Sequence, residues 1–277
     1  MTTETMTSQP PLRVFITGAS SGLGAALARH YAQQGATLGL VGRRSEALLQ
    51  LQAELPQSIS FVYPLDVIDH AALAAAATDF MQVGGIDIVI ASAGISAGTL
   101  TEHREDMAVF ERIVATNLTA TVATFAPFIA AMKSIASSQA QGQCRHARPL
   151  RLVGIASVAG IRGLPGAGAY SASKAALIGY CESLRVELRS SGIRVVTIVP
   201  GYIDTPMTRH NAYRMPFLMS AEAFARRAAQ SIDAGDRFCV IPWQMGWVVR
   251  LLRWMPNALF DRVCGKMPRK ARTTADR

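Results

Sequence analysis

Charge is scarce in this sequence. Only 17% of its 277 residues are Asp, Glu, Lys or Arg, whereas 50% are hydrophobic and the mean hydropathy is +0.22. Such a chain has ample apolar surface to bury, which excludes an intrinsically disordered protein. Cysteine is also scarce, since the four cysteines lie far apart and form no Cys-x-x-Cys pair. This pattern argues against a disulfide scaffold or a structural metal site, and it predicts reduced thiols in a cytoplasmic protein.

We also expect no signal peptide at the start of this sequence. The first 11 residues lack the basic-then-apolar order of a signal peptide, and we predict that they form a flexible arm. No stretch of about 20 residues is free of both charge and proline, so the sequence predicts no transmembrane helix.

Short apolar runs alternate with helical patterns along most of the chain. The runs are apolar on both faces, as the strands of a buried parallel sheet should be. They are Leu12–Ile16, Ala36–Val41, Ile59–Tyr63, Ile86–Ala91, Leu150–Ala156, Ile193–Val199 and Phe238–Ile241. Helical patterns lie between them near Leu23–Gln34, Glu46–Glu54, Ala71–Met81, Met107–Met132, Tyr170–Arg189 and Ala221–Ile232.

This alternation predicts an α/β fold: a doubly wound, seven-stranded parallel sheet with helices on both faces, the Rossmann fold. One domain would span 12–241, between the arm at 1–11 and an extension at 242–277. Two segments break the alternation. Lys133–Pro149 is polar and predicts an exposed loop. Tyr202–Met219 follows a strand, and it either covers a site or makes an ordinary surface connection.

A glycine-rich turn follows the first strand and precedes a helix. In this position glycines let the backbone approach a pyrophosphate, and the helix amino terminus offers it unpaired N–H groups. The spacing is GxxxGxG, and the context of strand, turn and helix supports a dinucleotide site. We expect cofactor contacts from Thr17, Gly18, Ser20, Ser21, Gly22, Leu23 and Gly24.

The second strand ends in Gly42-Arg43-Arg44 and carries no acidic residue there. An acidic residue would hold the ribose 2′-hydroxyl of NAD, whereas guanidinium groups suit a 2′-phosphate. The sequence therefore favours NADP(H), with NAD(H) still possible. Asp66, just after the third strand, either accepts a hydrogen bond from the adenine amino group or is a plain turn residue.

By these features the chain from about Leu12 to Met207 resembles the short-chain dehydrogenase/reductase family. The resemblance rests on TGASSGLG in the first turn and on Asp66-Val67, Ala93-Gly94, Asn117, Ser157, Tyr170-Ser171-Ala172-Ser173-Lys174, and Pro200-Gly201 with Thr205. It implies an NAD(P)-dependent enzyme that interconverts a carbonyl and a secondary alcohol, and a homo-oligomer. One departure is Ala91-Ser92-Ala93-Gly94, where the family usually has Asn-Asn-Ala-Gly; we expect it to tune the site.

The Tyr-x-x-x-Lys pair has the residue types and spacing that proton transfer to or from the substrate oxygen requires. Residues four apart lie on one helix face, and a nearby ammonium lowers a tyrosine pKa from its usual ~10. Tyr170 would then act as acid or base, and Ser157 would polarise the substrate carbonyl. Each residue also has a purely structural alternative, such as a solvated Lys174 or an outward-facing Asn117.

The resemblance assigns further roles. Lys174 would bind the nicotinamide ribose, and Asn117 would hold a water that links Lys174 to solvent. Additional cofactor contacts would come from Val67, Ala93, Gly94, Tyr170, Pro200, Gly201, Ile203 and Thr205. No metal is expected.

The extension at 242–277 holds most of the basicity. It contributes +6 of the net charge of +9 and contains all three tryptophans. Trp243, Trp247, Leu251 and Trp254 share one helical face, and Lys/Arg residues cluster between Lys266 and Arg272. An interfacial helix at the inner face of a membrane uses such residues. The alternatives are that the extension packs on the sheet, closes the substrate pocket or forms a subunit interface. No nucleic-acid motif is present.

The sequence thus predicts reduction of a hydrophobic or lipid-like ketone with NADP(H). Two alternatives remain: an NAD-linked alcohol dehydrogenase on the same site, or a catalytically idle, cofactor-binding scaffold or sensor at a membrane surface.

Overall fold

The short apolar runs form strands, and the helical patterns between them form helices, as the sequence predicts. The computed structural model describes residues 10–143, 148–209, 211, 214–265, 270 and 272. The strands are β1 Arg13–Thr17, β2 Thr37–Gly42, β3 Ser60–Pro64, β4 Ile88–Ala91, β5 Leu150–Ile155, β6 Ile193–Pro200, β7 Ile203–Asp204, β8 Met219–Ser220 and β9 Phe238–Ile241. The helices are α1 Gly22–Gln33, α2 Ser45–Ala53, α3 His70–Gln82, α4 Asp106–Val114, α5 Ala120–Ala140, α6 Gly168–Glu187, α7 Ala221–Ala234, α8 Trp243–Trp254 and α9 Asn257–Cys264.

Seven strands form one sheet in the order β3-β2-β1-β4-β5-β6-β9, and every pairing is parallel. The short strands β7 and β8 pair separately. The predicted doubly wound, seven-stranded sheet is therefore confirmed. The order reverses between β1 and β4, and in such sheets ligands bind beyond the carboxyl ends of the strands at that reversal.

The core has two halves because helices cover both faces of the sheet. On one face α1 and α7 pack together, burying Tyr31 and Phe224. On the other face α3, α5 and α6 cover the sheet, and Phe15 packs between Phe80 and Phe128. Each fully buried large side chain stabilises the fold by roughly 1.5–3 kcal/mol. This core holds the strand ends rigidly around the crevice at the reversal.

One predicted loop boundary was wrong. The sequence placed an exposed loop at Lys133–Pro149, but α5 continues to Ala140. Ile135 and Ala136 pack partly buried against the core, and Ser137 Oγ donates to the Lys133 carbonyl oxygen, so this polar stretch stays helical. The connection to β5 begins only at Gln141.

The helical stretch Asp106–Ala140 is the one stretch among the described residues that is long and apolar enough to cross a membrane. Core helices of α/β domains share this length and composition. Within this stretch α4 packs on α6 and α5 packs on α3, and 44% of its most apolar 18 residues are buried. Length and hydropathy alone therefore do not indicate a membrane span here.

The extension after β9 folds onto the domain through α8 and α9. Met245, Val249 and Phe260 point inward. Arg162 fastens both helices: Nη1 donates to the Leu252 and Met255 carbonyl oxygens at 3.1 and 3.2 Å, and the guanidinium stacks over the Phe260 ring at 4.1 Å. The face predicted to carry tryptophan is exposed to solvent. Of the basic cluster predicted at 266–272, only Lys270 and Arg272 lie within the described residues.

Candidate active site

A cavity of about 260 Å³ opens where the sheet order reverses. The loops after β1 and β4 meet there so closely that a Cβ on Gly18 would lie 2.8 Å from the Ala93 Cα atom. Gly18 also has a φ of +71°, which an L side chain rarely adopts. The glycine-rich turn therefore forms one wall of the cavity, and the segment after β4 forms the next.

The turn fits an anionic ligand. Ser21 is the N-cap of α1, but its side chain makes no capping hydrogen bond, and the first turn carries no acidic residue. The first N–H groups of α1 are thus free of side-chain caps at the cavity wall, where the helix dipole favours negative charge. A Cβ on Gly24 would lie 2.4 Å from the Gly18 carbonyl oxygen, so the tight turn requires glycine there. These features suit the pyrophosphate of a dinucleotide.

Two arginines form the basic end of the cavity. Arg44 Nη2 donates to the Ser20 carbonyl oxygen at 3.0 Å and thereby joins the end of β2 to the glycine turn. Arg43 is more than half exposed and forms an ion pair with Asp66 across 3.8 Å. Asp66 lines the same cavity, and its Oδ1 atom also accepts a turn hydrogen bond from the Ile68 amide at 3.3 Å. The arrangement leaves the Arg43 guanidinium accessible to a phosphate.

Thr17 occupies a different place from the one the sequence assigned. It does not line the cavity but lies buried beneath it. Its Oγ1 accepts hydrogen bonds from the backbone amides of Ser92 and Ala93 at 3.2 and 3.3 Å. Because this hydroxyl accepts from the β4 loop, Thr17 holds the two walls together from below. Ser92, at the departure from the usual family motif, itself lines the cavity.

Asn117 lies in a π-helical turn, Ala115–Thr119, between α4 and α5. Such single turns inside helices frequently occur at functional sites. The side chain is completely buried and fully bonded: Oδ1 accepts from the Ile95 amide at 2.8 Å, and Nδ2 donates to the Ile95 carbonyl oxygen and to Ser173 Oγ, both at 3.0 Å. Asn117 therefore does not face outward, and it joins the β4 loop to the helix that carries Tyr170 and Lys174.

Lys174 is buried rather than solvated. Its Nζ atom donates to the Ile155 carbonyl oxygen at 2.8 Å and lies 5.9 Å from the centroid of the Tyr170 ring. Burial lowers the pKa of Lys174 to about 8. The helix spacing thus brings the phenol and the ammonium to the same cavity, as predicted from the sequence.

Ser157 completes the group at the end of β5. It begins a 3₁₀ turn, and its Oγ accepts a hydrogen bond from the Ala159 amide at 3.2 Å. A second cavity of about 110 Å³ adjoins the first, and Ser157 and Tyr170 line both. A molecule bound in the second cavity would therefore contact Ser157 and Tyr170 at the boundary with the first cavity.

Part of the segment predicted to cover a site does reach both cavities. After β7, the Thr205 amide donates to Thr208 Oγ1 at 3.0 Å, which closes a tight turn. Met207 and Thr208 from this turn line both cavities. His210, Ala212 and Tyr213 of this segment lie outside the described residues.

Most of the predicted site residues are brought together. The first cavity is lined by Gly18, Ser20, Ser21, Gly22, Leu23, Gly24, Arg43, Arg44, Asp66, Val67, Ala93, Gly94, Ser157, Tyr170, Lys174, Pro200, Gly201, Ile203 and Thr205. Thr17 and Asn117 support it from behind. Lining residues absent from the predicted set are Gly42, Leu65, Ser92, Ile95, Thr116, Ile155, Ala156, Pro206, Met207 and Thr208. Except for Thr208, each of these lies within two residues of a predicted site residue. Their position next to the motifs could therefore have identified them from the sequence.

No cluster of three or more His, Cys, Asp or Glu side chains in the described part of the chain could hold a metal ion. Of the four cysteines, Cys181, Cys239 and Cys264 are free thiols, and Cys144 lies outside the described residues.

A doubly wound sheet with an uncapped helix and a glycine turn at its reversal point is typical of dinucleotide-binding oxidoreductases. The sequence model of the short chain dehydrogenase family matches residues 13–215, and the chain belongs to that family. It is accordingly an NAD(P)-dependent oxidoreductase that acts on CH–OH groups or the corresponding carbonyls.

The similarity to several known proteins extends over most of the chain. An uncharacterised oxidoreductase of Myxococcus xanthus is 36% identical over 255 residues, which is 91% of this chain and 96% of the relative. A 2-dehydro-3-deoxy-L-rhamnonate dehydrogenase (NAD(+)) of Sphingomonas is 35% identical over 193 residues, covering 69% of this chain and 72% of that protein. A 3-ketoacyl-(acyl-carrier-protein) reductase of Brucella melitensis, crystallised with NADH, has the same fold, with a TM-score of 0.73 and 24% identity over 83% of this chain and 95% of that one.

Proposed function

We propose that this protein reduces a hydrophobic ketone to a secondary alcohol with NADPH. One observation carries the proposal: the Ser157, Tyr170 and Lys174 side chains line the same cavity as the glycine-rich turn. A cofactor held on that turn would meet all three polar groups in one crevice. The apolar Val158, Leu164 and Met207 in the adjoining second cavity favour a hydrophobic substrate.

The roles of the residues follow from their chemistry. Ser157 donates a hydrogen bond to the substrate oxygen and stabilises negative charge there. Tyr170 gives its proton to that oxygen in reduction and removes it in oxidation. Lys174 stabilises the phenolate that remains, because its ammonium lies beside the ring. Bound NADP(H) supplies the hydride.

Proton return is assigned to Lys174 and the π-helical turn. Asn117 Oδ1 and Nδ2 already bond to the Ile95 backbone and Ser173, but the backbone at the turn lies beside the cavity through Thr116. We assign to Asn117 the water that links Lys174 to solvent.

The remaining predicted residues hold the cofactor. Gly18, Ser20, Ser21, Gly22, Leu23 and Gly24 receive the pyrophosphate at the amino end of α1. Asp66 and Val67 contact the adenine, and Ala93 with Gly94 flanks the adenosine ribose. Pro200, Gly201, Ile203 and Thr205 meet the nicotinamide end. The phosphate-binding end is Arg43 with Arg44, which is why we propose NADP(H).

A second candidate is NAD-linked alcohol oxidation at the same site. The Sphingomonas relative is named for NAD(+), which favours this alternative. The end of β2 favours NADP(H) instead, because it carries Arg43 and Arg44 and no acidic residue that could hold a 2′-hydroxyl. Steady-state rates with both cofactors in both directions decide between the two.

The main experiment measures NADPH oxidation over a panel of ketones, aldehydes and 3-oxoacyl compounds, with the wild type beside Tyr170→Phe. We expect the variant to keep NADPH binding, followed by cofactor fluorescence, and to lose turnover by roughly 10²–10⁴-fold. Equal rates would exclude Tyr170 as the acid. Tight NADPH binding by the wild type with no turnover of any compound would favour the idle scaffold or sensor.

We also propose that the protein is cytoplasmic and that its helices α8 and α9 associate with the inner face of a membrane. Trp243, Trp247, Leu251 and Trp254 are 63–86% exposed on one face, with Arg250 stacked on Trp247. Tryptophan and arginine together are typical of interfacial helices.

Co-sedimentation with phosphatidylglycerol vesicles tests this surface, using Trp247→Ser/Trp254→Ser against Ile59→Ser, which removes an equally exposed residue elsewhere. Only the double variant should lose binding. A wild type that fails to bind vesicles, or a double variant that changes subunit number instead, refutes the membrane assignment.

Enzymes of this family commonly form oligomers, and we propose a homo-oligomer built through α4, α5 and α6. Large apolar side chains are exposed on these helices at Met107, Phe110, Val122 and Val186. Sedimentation equilibrium of Val186→Glu against the wild type tests this interface, and an unchanged mass would exclude Val186 from it.

A further inference from the structure

Lys270, in the carboxyl-terminal part of the chain, contributes a charged side chain to the second cavity. This cavity adjoins Ser157 and Tyr170 and is mostly apolar, with Val158, Leu164 and Met207 in its wall. Among the described residues that line it, only Lys270 carries a formal charge. Lys270 comes from the extension, far along the chain from every residue assigned to the reaction.

Lys270 makes one direct hydrogen bond in the cavity, and the neighbouring Arg272 is bound nearby. Its Nζ atom donates to Ser96 Oγ at 2.8 Å. Two residues on, Arg272 binds Asp106 through Nε and Nη2, each at 3.0 Å, and Glu105 through Nη2 at 2.8 Å. Arg272 also forms a parallel β-bridge with Gly98. Arg272 is therefore fastened to the α4 amino terminus, two residues after Lys270.

The acidic groups nearby are already paired with Arg272. Hydrogen bonds from Arg272 and from the Leu100 amide hold the pKa of Asp106 below its usual range. No salt bridge to Lys270 occurs among the described residues, and burial alone lowers its pKa. Half-buried ammonium groups beside apolar walls are costly unless an anion pairs with them. The cation at this cavity thus lacks a counter-ion from the described protein.

We propose that Lys270 binds an anionic group, a carboxylate or phosphate, on the substrate, so that the enzyme acts on hydrophobic oxo acids or their phosphate analogues. This inference rests on the proposed function for the position of the reacting carbonyl at Ser157 and Tyr170. The anion binds at Lys270 and Ser96. The apolar part of the substrate, between the anion and the reacting carbonyl, packs against Leu164 and Met207. The distance between the ends then selects substrates by length.

Binding is tested first, without turnover. Hexanoate, butyl phosphate and neutral hexanamide are titrated by calorimetry into NADP⁺-saturated wild type, Lys270→Met and Lys270→Arg. Lys133→Met serves as the control because Lys133 is exposed on α5. Wild type, Lys270→Arg and Lys133→Met should bind an anion at least tenfold more tightly than Lys270→Met, as for other charge-assisted hydrogen bonds. Comparison of hexanoate with butyl phosphate separates the two sources of the anion.

Equal affinity of wild type and Lys270→Met for both anions overturns the inference, as does equal affinity for hexanamide and hexanoate. Circular dichroism of Lys270→Met confirms that the variant is folded, and Ser96→Ala provides a second variant that removes only the partner of the Nζ atom. Ser96→Ala should weaken anion binding by a smaller factor than Lys270→Met.

Turnover is tested second, with oxo acids whose carbonyl and carboxylate are separated by one to six methylenes, each beside its amide. The wild type should favour one acid over its amide by about tenfold or more in kcat/KM, and Lys270→Met should bring that ratio to about one. Turnover of acids and amides at equal kcat/KM refutes the inference and leaves the proposed function intact. Absence of turnover with every compound refutes the proposed function, while the calorimetry still decides on Lys270.

Discussion

The Lys174 ammonium lies 5.9 Å from the centre of the Tyr170 ring, and it donates a hydrogen bond to the Ile155 carbonyl oxygen at 2.8 Å. Burial is the main cause that lowers the pKa of this ammonium. The site therefore holds a charge at a cost in stability, which is a common price of a reactive arrangement.

Replacing Lys174 with Met should raise the stability of the cofactor-free protein at pH 7. Burial lowers the Lys174 pKa from 10.5 to about 8, so the unfolded chain binds more protons than the folded one between these values. The wild type should consequently gain stability relative to Lys174→Met as the pH rises from about 8 to 10.5, by an amount on the order of 3 kcal/mol at most.

Urea unfolding of both proteins at pH 7, 8, 9 and 10 measures this difference. Lys133→Met controls for the loss of an exposed lysine. A stability difference between wild type and Lys174→Met that does not change with pH would show that burial does not shift the Lys174 pKa.

Asn117→Ala should destabilise the protein strongly. The substitution leaves the part-buried Ile95 amide and carbonyl oxygen without their side-chain partner, and it removes the buried bond to Ser173. We expect a loss of about 2–4 kcal/mol in the free energy of unfolding.

Ser173→Ala is the matched variant, because it removes one partner of Asn117 and the bond to the Tyr170 carbonyl oxygen but keeps both bonds to Ile95. It should cost only about 1 kcal/mol. Urea unfolding compares the two, and an Asn117→Ala protein as stable as Ser173→Ala would contradict the role given to the Ile95 contacts.

The fold was predictable because local pattern and tertiary structure agree. The runs that form β1, β2 and β6 are apolar on both faces, as the interior of a parallel sheet requires. The end of α5 was missed because Ser137, Ser138 and Gln139 favour loops by composition. Their neighbours Ile135 and Ala136 pack on the core. The polar composition of the surrounding residues gives no indication of that tertiary contact.

The site was predictable where a motif fixes local geometry, as for Gly18 and for the Tyr170–Lys174 pair. The π-helical turn at Asn117 could not be read from the sequence, since one extra residue per turn leaves no signal in composition. The approach of Lys270 to Ser96 joins positions 174 residues apart, and no local pattern encodes such a contact.

Arg43→Ser should change the cofactor preference. Arg43 is exposed at the basic end of the first cavity, so its loss should lower kcat/KM for NADPH by about tenfold or more, the range of a charge-assisted hydrogen bond. The value for NADH should change much less. Steady-state rates with both cofactors measure this ratio.

Arg29→Ser is the control, because Arg29 pairs with Glu54 at 2.7 Å and does not line the cavity. Equal losses with NADPH and NADH in Arg43→Ser would mean that Arg43 does not read the 2′-phosphate. The NAD-linked alternative would then stand.

Gly24→Ala should weaken cofactor binding and destabilise the protein together. The new Cβ would lie 2.4 Å from the Gly18 carbonyl oxygen and 2.7 Å from its carbonyl carbon, and both are backbone atoms that cannot move without displacing the turn. We expect a loss of about 1–3 kcal/mol in stability and a clear loss of NADPH affinity.

Gly179→Ala tests the same substitution where the structure has room for it. Gly179 is exposed in α6, and an added Cβ would meet nothing within 4 Å. Alanine should therefore stabilise the helix by about 0.5–1 kcal/mol and leave NADPH affinity unchanged. Thermal unfolding with and without NADPH measures both variants. If Gly24→Ala binds NADPH as Gly179→Ala does, the glycine turn is not where the pyrophosphate binds, because its displacement would have no effect on the cofactor.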